Sequence, residues 1–151
     1  MTKNLSEIQY RERVLPGLSF FLSGLALPFI STLIALPFIE ELLWLVPTAT
    51  YAAFLGFGFL LAPVITITKD YLAVGKATIP RSVIGHAIEI KASDAFAERG
   101  PKLKANAYIR FQIGVKGLVK IEVLDESDPT PYWLFASRNP DLVISYLNKG
   151  N

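Results

Sequence analysis

Between Val14 and Thr68 the chain carries only two charges, the adjacent pair Glu40 and Glu41. They divide the segment into two apolar runs, Val14 to Ile39 and Leu42 to Thr68. An α-helix rises about 1.5 Å per residue and a hydrocarbon core is roughly 30 Å thick, so about 20 apolar residues suffice to cross it. Each run exceeds that length. Buried core helices are shorter and keep a polar face, whereas Leu18 to Ile30 is apolar all round apart from Ser19, Ser23 and Gly24. A cleaved leader has an apolar core of only about 7–15 residues. The segment therefore reads as a two-helix transmembrane hairpin, residues 14–65, between a short arm, residues 1–13, and a β-rich domain, residues 66–151.

The flanks give an orientation. Lys3, Arg11 and Arg13 precede the hairpin, Lys69, Lys76 and Arg81 follow it, and the intervening loop is acidic. Basic residues stay on the cytoplasmic side, so both termini are expected there, in a plasma membrane crossed twice. Trp44 near the acidic pair suits the outer interface and Tyr10 the inner one. Pro16 and Pro47 fall where a helix would begin, and Pro28 falls mid-span and predicts a kink. Ser19 and Ser23, and the pairs Ala49, Ala53 and Ala52, Gly56, supply small faces on which the two helices can pack. Glu40 and Glu41 do not amount to a paired-carboxylate site, and a transport path would need an ionisable group inside a span.

From Lys69 to Asn151, twelve basic residues face nine acidic ones, a balance that does not point to nucleic acid. The pattern there turns from helical to alternating. Lys69–Val74 and Ala77–Pro80 flank a turn at Gly75, and Ser82–Ile90 continues as an extended piece whose adjacent apolar pairs break strict alternation. Ser93–Arg99, followed by Gly100-Pro101, reads as a short helix capped by Ser93. Ala105–Ile113, Leu118–Leu124 and Pro131–Ser137 read as strands, the last two joined by the acidic turn Asp125–Thr130. Asn139-Pro140-Asp141 opens a closing helix with Leu142, Val143, Tyr146 and Leu147 on one face. The expected class is an α+β membrane protein whose antiparallel sheet, closed by a C-terminal helix, looks pleckstrin-homology-like.

Particular motifs also carry a resemblance. Tyr10-Arg11-Glu12-Arg13 before the apolar segment, Val74-Gly75 with Ile79-Pro80 after it, and Asp128-Pro129-Thr130-Pro131-Tyr132-Trp133-Leu134 with Ser137-Arg138 and Pro140 near the end are similar to the actinobacterial family catalogued as domain of unknown function 3093. The resemblance implies a short, two-span bacterial plasma-membrane protein with a cytoplasmic domain, and brings no activity with it.

His86 is the single histidine and cysteine is absent, so neither a metal site nor a catalytic constellation of ordinary spacing is visible. No cofactor is expected. The function read from the sequence is a non-enzymatic interaction or scaffold protein whose cytoplasmic domain binds a protein or lipid. The alternative is an accessory subunit or modulator of a membrane transport or envelope-synthesis complex, bound through the hairpin. Partners are the lipid bilayer and a membrane or cytoplasmic protein, with a homo-oligomer as a further option. Candidate membrane-surface or partner contacts are Tyr10, Arg11, Arg13, Lys69, Lys76, Arg81, Tyr132 and Trp133. A regular strand would turn Tyr132 and Trp133 to opposite faces, burying one and leaving the other available.

Overall fold

A computed structural model describes residues 7–37 and 43–149; the Glu40–Glu41 pair and Lys3 lie outside the described residues. The chain divides into two compact units, one running up to Val14 and resuming at Pro63, the other Leu15–Ala62.

The first unit is a mixed α+β structure with two four-stranded sheets. Strands β1 (Tyr10–Arg13), β2 (Val64–Ile67), β3 (Tyr71–Val74) and β4 (Ala77–Pro80) form an antiparallel meander in chain order. Tyr10–Arg13 is thus an edge strand of this sheet, in register with Ile67 to Val64, and not a separate arm before the apolar segment. The second apolar run likewise stops being helical before Val64, since its last residues are strand. Alternate residues explain why: Ile65, Ile67, Leu72, Val74 and Ile79 point to one side and are buried. The β3–β4 turn follows from Gly75, whose φ of +64° with Lys76 at negative φ has the signs of a type II′ turn.

The second sheet has the order β5 (Ile84–Ile90), β7 (Leu118–Val123), β8 (Tyr132–Ala136), β6 (Tyr108–Arg110). A register shift between Ile84 and Ala87 sets Gly85 and His86 of β5 against Glu122 alone on β7, so a bulge accounts for the broken alternation in Ser82–Ile90. Only Tyr108–Arg110 of the expected strand Ala105–Ile113 is extended, and it runs parallel to β8, so this sheet is not purely antiparallel. The short helix α4 (Ala95–Arg99) has Asp94 rather than Ser93 at its N-cap, without a side-chain cap bond. In the acidic turn the Ser127 amide and hydroxyl donate to Asp125 Oδ1 at 2.9 and 2.6 Å, holding that carboxyl below its usual range.

Helix α5 (Pro140–Asn148) starts with Pro at N1, where no N–H partner is needed, and packs on β5, β7 and β2 through Val143 and Leu147. Leu142 of the expected face points outward instead. Gly117 lets the β8 end come close: a Cβ there would stand 2.4 Å from the Ser137 carbonyl oxygen.

In the second unit, α1 (Leu18–Gly24) and α2 (Ala26–Ala35) form one helix interrupted at Leu25, and α3 (Leu45–Leu60) packs against α2. Pro28 has no N–H to offer Gly24, one turn back, and that is where the helix is interrupted. Pro47 lies in the first turn of α3, as the sequence suggested, while Pro16 precedes the helix altogether. The helices meet through other small residues than those expected. Phe54 lies over Gly24 and Phe20 over Gly58, at positions a Cβ would occupy, and the two rings stack 4.4 Å apart. Ser19, Ser23, Ala49, Ala52, Ala53 and Gly56 face outward. So do many large apolar side chains, Leu18 at 73% and Leu60 at 77% exposure among them. Among the described residues one helix, Leu18–Ala35, is long and apolar enough to cross a membrane, while Leu45–Leu60 is apolar but shorter.

Strand β8 overturns the expectation that only one of Tyr132 and Trp133 is inside. Flanked by β7 and β6 and covered on both faces, it buries every residue, Tyr132 and Trp133 each to 6% exposure. Tyr132→Ala and Trp133→Ala are therefore both expected to destabilise this unit by about 3–5 kcal/mol. Denaturant unfolding of the full chain in detergent, followed by the far-ultraviolet strand signal, measures it.

Candidate functional site

Of the eight residues singled out by sequence, Arg11, Arg13, Lys69 and Lys76 have exposed side chains on or beside the first sheet. Arg11 and Arg13 share the outer face of β1, Lys76 is in the β3–β4 turn, and Lys69 pairs with Glu7 at 3.1 Å in an exposed ion pair that contributes little.

Arg81 is instead only 7% exposed in the 3-10 turn after β4, and its guanidinium works as an internal clamp. One nitrogen donates to Gln9 Oε1 and the Thr68 carbonyl, both at 3.1 Å; the other donates to the carbonyls of Tyr146, at 3.0 Å, and Leu147. The last two are carbonyls of the final turn of α5, where a cation satisfies unpaired acceptors and opposes the negative end of the helix dipole. A basic residue following an apolar segment gives no hint of this, because its acceptors lie on three distant stretches of chain.

Tyr10 is also internal in its chemistry. Its ring lies 5.3 Å from that of Tyr146, and its hydroxyl donates to Glu12 Oε2 at 2.9 Å. Burial, reinforced by that carboxylate, pushes the phenol up to about 12. Buried Glu12 in turn accepts from the Ser137 hydroxyl and the Arg138 amide, each at 2.7 Å. The motifs Tyr10–Arg13 and Ser137-Arg138-Asn139-Pro140, at opposite ends of the sequence, thus meet at one carboxylate.

Trp133 belongs to the core, where its ring lies 4.5 Å from that of Tyr108, and offers no face to a partner. Tyr132, although buried, forms part of the floor of a groove of about 400 Å³ on the second sheet. Pro131 and Ile88 complete that floor, and Lys102, Lys104, Lys120, Glu122 and His86 supply its polar lining. The geometry is built. The Tyr132 hydroxyl accepts from the Lys104 amide at 2.9 Å and donates to the Lys102 carbonyl at 3.3 Å, fixing the segment that carries both lysines. The Lys120 ammonium is 4.5 Å from the centre of the Tyr132 ring and 2.8 Å from Glu98 Oε2, while Lys102 is 3.9 Å from Glu98 Oε1. Sequence reading missed this set. Lys120 and Glu122 alternate on the polar face of β7, which is a signal, but the segment that brings Lys102 and Lys104 to them is irregular and carries no period.

Among the described residues, no three His, Cys, Asp or Glu side chains come together as a metal-ligand group. A family model described as "Protein of unknown function (DUF3093)" matches residues 9–147. The chain belongs to this family. The match begins one residue before β1 and ends at Leu147, so it spans both the Glu12 junction and the groove. No curated protein and no solved structure matches.

Glu12→Ala would strand the Ser137 hydroxyl and the Arg138 amide, an expected loss of about 1–3 kcal/mol or more in urea unfolding, with Glu12→Gln losing less. The raised phenol gives a second expectation. Because the folded chain holds the Tyr10 proton beyond the ordinary value of 10, the stability Tyr10 adds is fully present below pH 10 and is lost as pH rises toward 12. The phenolate absorbance missing from Tyr10→Phe should accordingly develop near pH 12 in the folded protein.

Proposed function

We propose that this family member is a membrane-anchored, non-enzymatic interaction protein. In this reading residues 15–62 form a two-span hairpin in a bacterial plasma membrane, and the sheet-bearing unit binds a protein or lipid at the cytoplasmic surface. The observation that carries the reading is the pairing of β1 with β2. Arg13 is in register with Val64, and the Val14 amide donates to the Pro63 carbonyl at 2.9 Å, so the apolar unit leaves one strand and returns to its immediate neighbour. Paired strands of one folded sheet occupy one side of a bilayer. An apolar insertion between them is therefore consistent with an even number of crossings and not with one. Leu18–Ala35 would extend about 27 Å and Leu45–Leu60 about 24 Å. The shortfall of the second against a core of roughly 30 Å costs only fractions of a kcal/mol per Å when the bilayer thins or flanking residues reach for the interface.

Orientation follows from Arg11, Arg13, Lys69 and Lys76, exposed on the sheet-bearing unit, which favour the cytoplasmic side. The packing of α5 across β5, β7 and β2 supports a pleckstrin-homology-like reading of this unit, and the parallel β6–β8 pair departs from it. The second reading, an accessory subunit bound through the hairpin, is favoured by the outward apolar faces of α1–α3, which suit a partner helix as well as lipid.

A reporter of compartment fused after Asn151 should be active only in the cytoplasm, and one inserted between Glu40 and Glu41 only outside. Cytoplasmic activity at both positions would replace two spans by a re-entrant hairpin. Partner recovery that survives deletion of residues 66–151 would favour the accessory-subunit reading.

A further inference from the structure

The groove on the second sheet has a chemistry that the anchoring function leaves unused. Three ammonium groups converge on it from two stretches of chain, and among the described residues two carboxylates, Glu122 in the lining and Glu98 behind Lys120 and Lys102, answer them. Glu98 is satisfied from within the fold, since it is buried against Lys120 at 2.8 Å. Lys104 has no ion-pair partner among the described residues, and its side chain is exposed while its backbone is held by Tyr132. An excess of positive charge is thus fixed over a floor of a tyrosine, a proline and an isoleucine.

We propose that this groove binds a phosphate-bearing ligand, its phosphate held by Lys104 and Lys102 with Lys120 as the inner charge, and its apolar portion resting on Tyr132, Pro131 and Ile88. Lysine ammonium groups are compact point charges with freely turning donors. As point charges they suit a multiply charged tetrahedral oxyanion, and with no arginine fork in the lining, the group that pairs bidentately with phosphate and carboxylate alike, it is the higher charge of a phosphate that sets it above a single carboxylate. A volume of about 400 Å³ admits a small molecule or a single headgroup and falls well short of a folded partner. The inference rests on the reading of the sheet-bearing unit as a binding domain, and supplies its ligand class.

The test uses the full chain in an uncharged, phosphate-free detergent at low salt. Glycerol phosphate and micelle-borne phosphatidic acid are the two probes, with succinate as the carboxylate control. Both phosphates should raise the melting temperature in a saturable way, and succinate should not. Similar affinities for the two probes would assign the ligand to the soluble pool, and a preference of about tenfold or more for the lipid would assign it to the membrane. Lys104→Glu should weaken binding by about tenfold or more, the scale of one lost charge-assisted contact, without changing the melting temperature of the unliganded protein. Lys104→Gln, which removes the charge without reversing it, should weaken binding less. Lys116→Glu, the same charge change at an exposed lysine outside the groove lining, should leave binding unchanged. Phosphate binding that Lys104→Glu does not weaken would overturn the groove while leaving the binding-domain reading intact. Equal response to succinate would overturn the phosphate assignment, and no response to either phosphate would overturn the proposal as a whole. The reporter topology is independent of all these outcomes.

Discussion

The strand pair β1–β2 is the constraint on which the remaining structure depends. It joins residues separated by more than fifty positions, and everything between them is the apolar unit. Closing so long a loop is entropically unfavourable, and the cost grows only slowly with length, so it can be offset by a modest number of well-placed contacts. Those contacts are concentrated at this junction. Gln9 extends the pairing to Ile67, Glu12 ties the strand to Ser137 and Arg138, and Arg81 ties Gln9 to the end of α5. The strand that opens the chain is thereby fixed to the helix that closes it.

Two of the buried ionic groups, Glu12 and Arg81, follow from the same geometry. A charge taken out of water is tolerated only where hydrogen bonds replace its hydration. Glu12 meets that requirement with three donors, and Arg81 with four acceptors supplied by N-terminal, turn and helical segments. Neither can be served until all of these segments are in place. Such groups penalise partly assembled arrangements more than they strengthen the final one. In a chain whose sheet is interrupted by an apolar insertion, that selectivity favours the one register in which the ends of the insertion are neighbours.

The groove is formed on the other sheet, where β8 is covered on both faces. Tyr132 serves two purposes there, filling the core with its ring and fixing the Lys102–Lys104 segment with its hydroxyl. A floor held so rigidly keeps like charges together that would separate in a free loop. Trp133, one residue on, is wholly committed to packing against Tyr108.

By itself the sequence determined what local periodicity and composition can determine. The apolar segment and its two helices, the interruption caused by Pro28, the Gly75 hairpin, β7, β8 and the closing helix are all legible, because each is decided by neighbours a few residues apart. The partners of those elements were decided only by tertiary structure. Tyr10–Arg13 reads as a polar interfacial arm until Val64–Ile67 pairs with it, and Arg81 reads as a membrane flank until carbonyls from three segments surround it. The parallel placement of β6 and the burial of both Tyr132 and Trp133 depend on which strands flank β8. Alternation reports which side chains share a face and is silent on whether a second layer covers the other one. The groove lysines are the extreme case, since their convergence depends on a single hydroxyl bonding an irregular segment some thirty residues away.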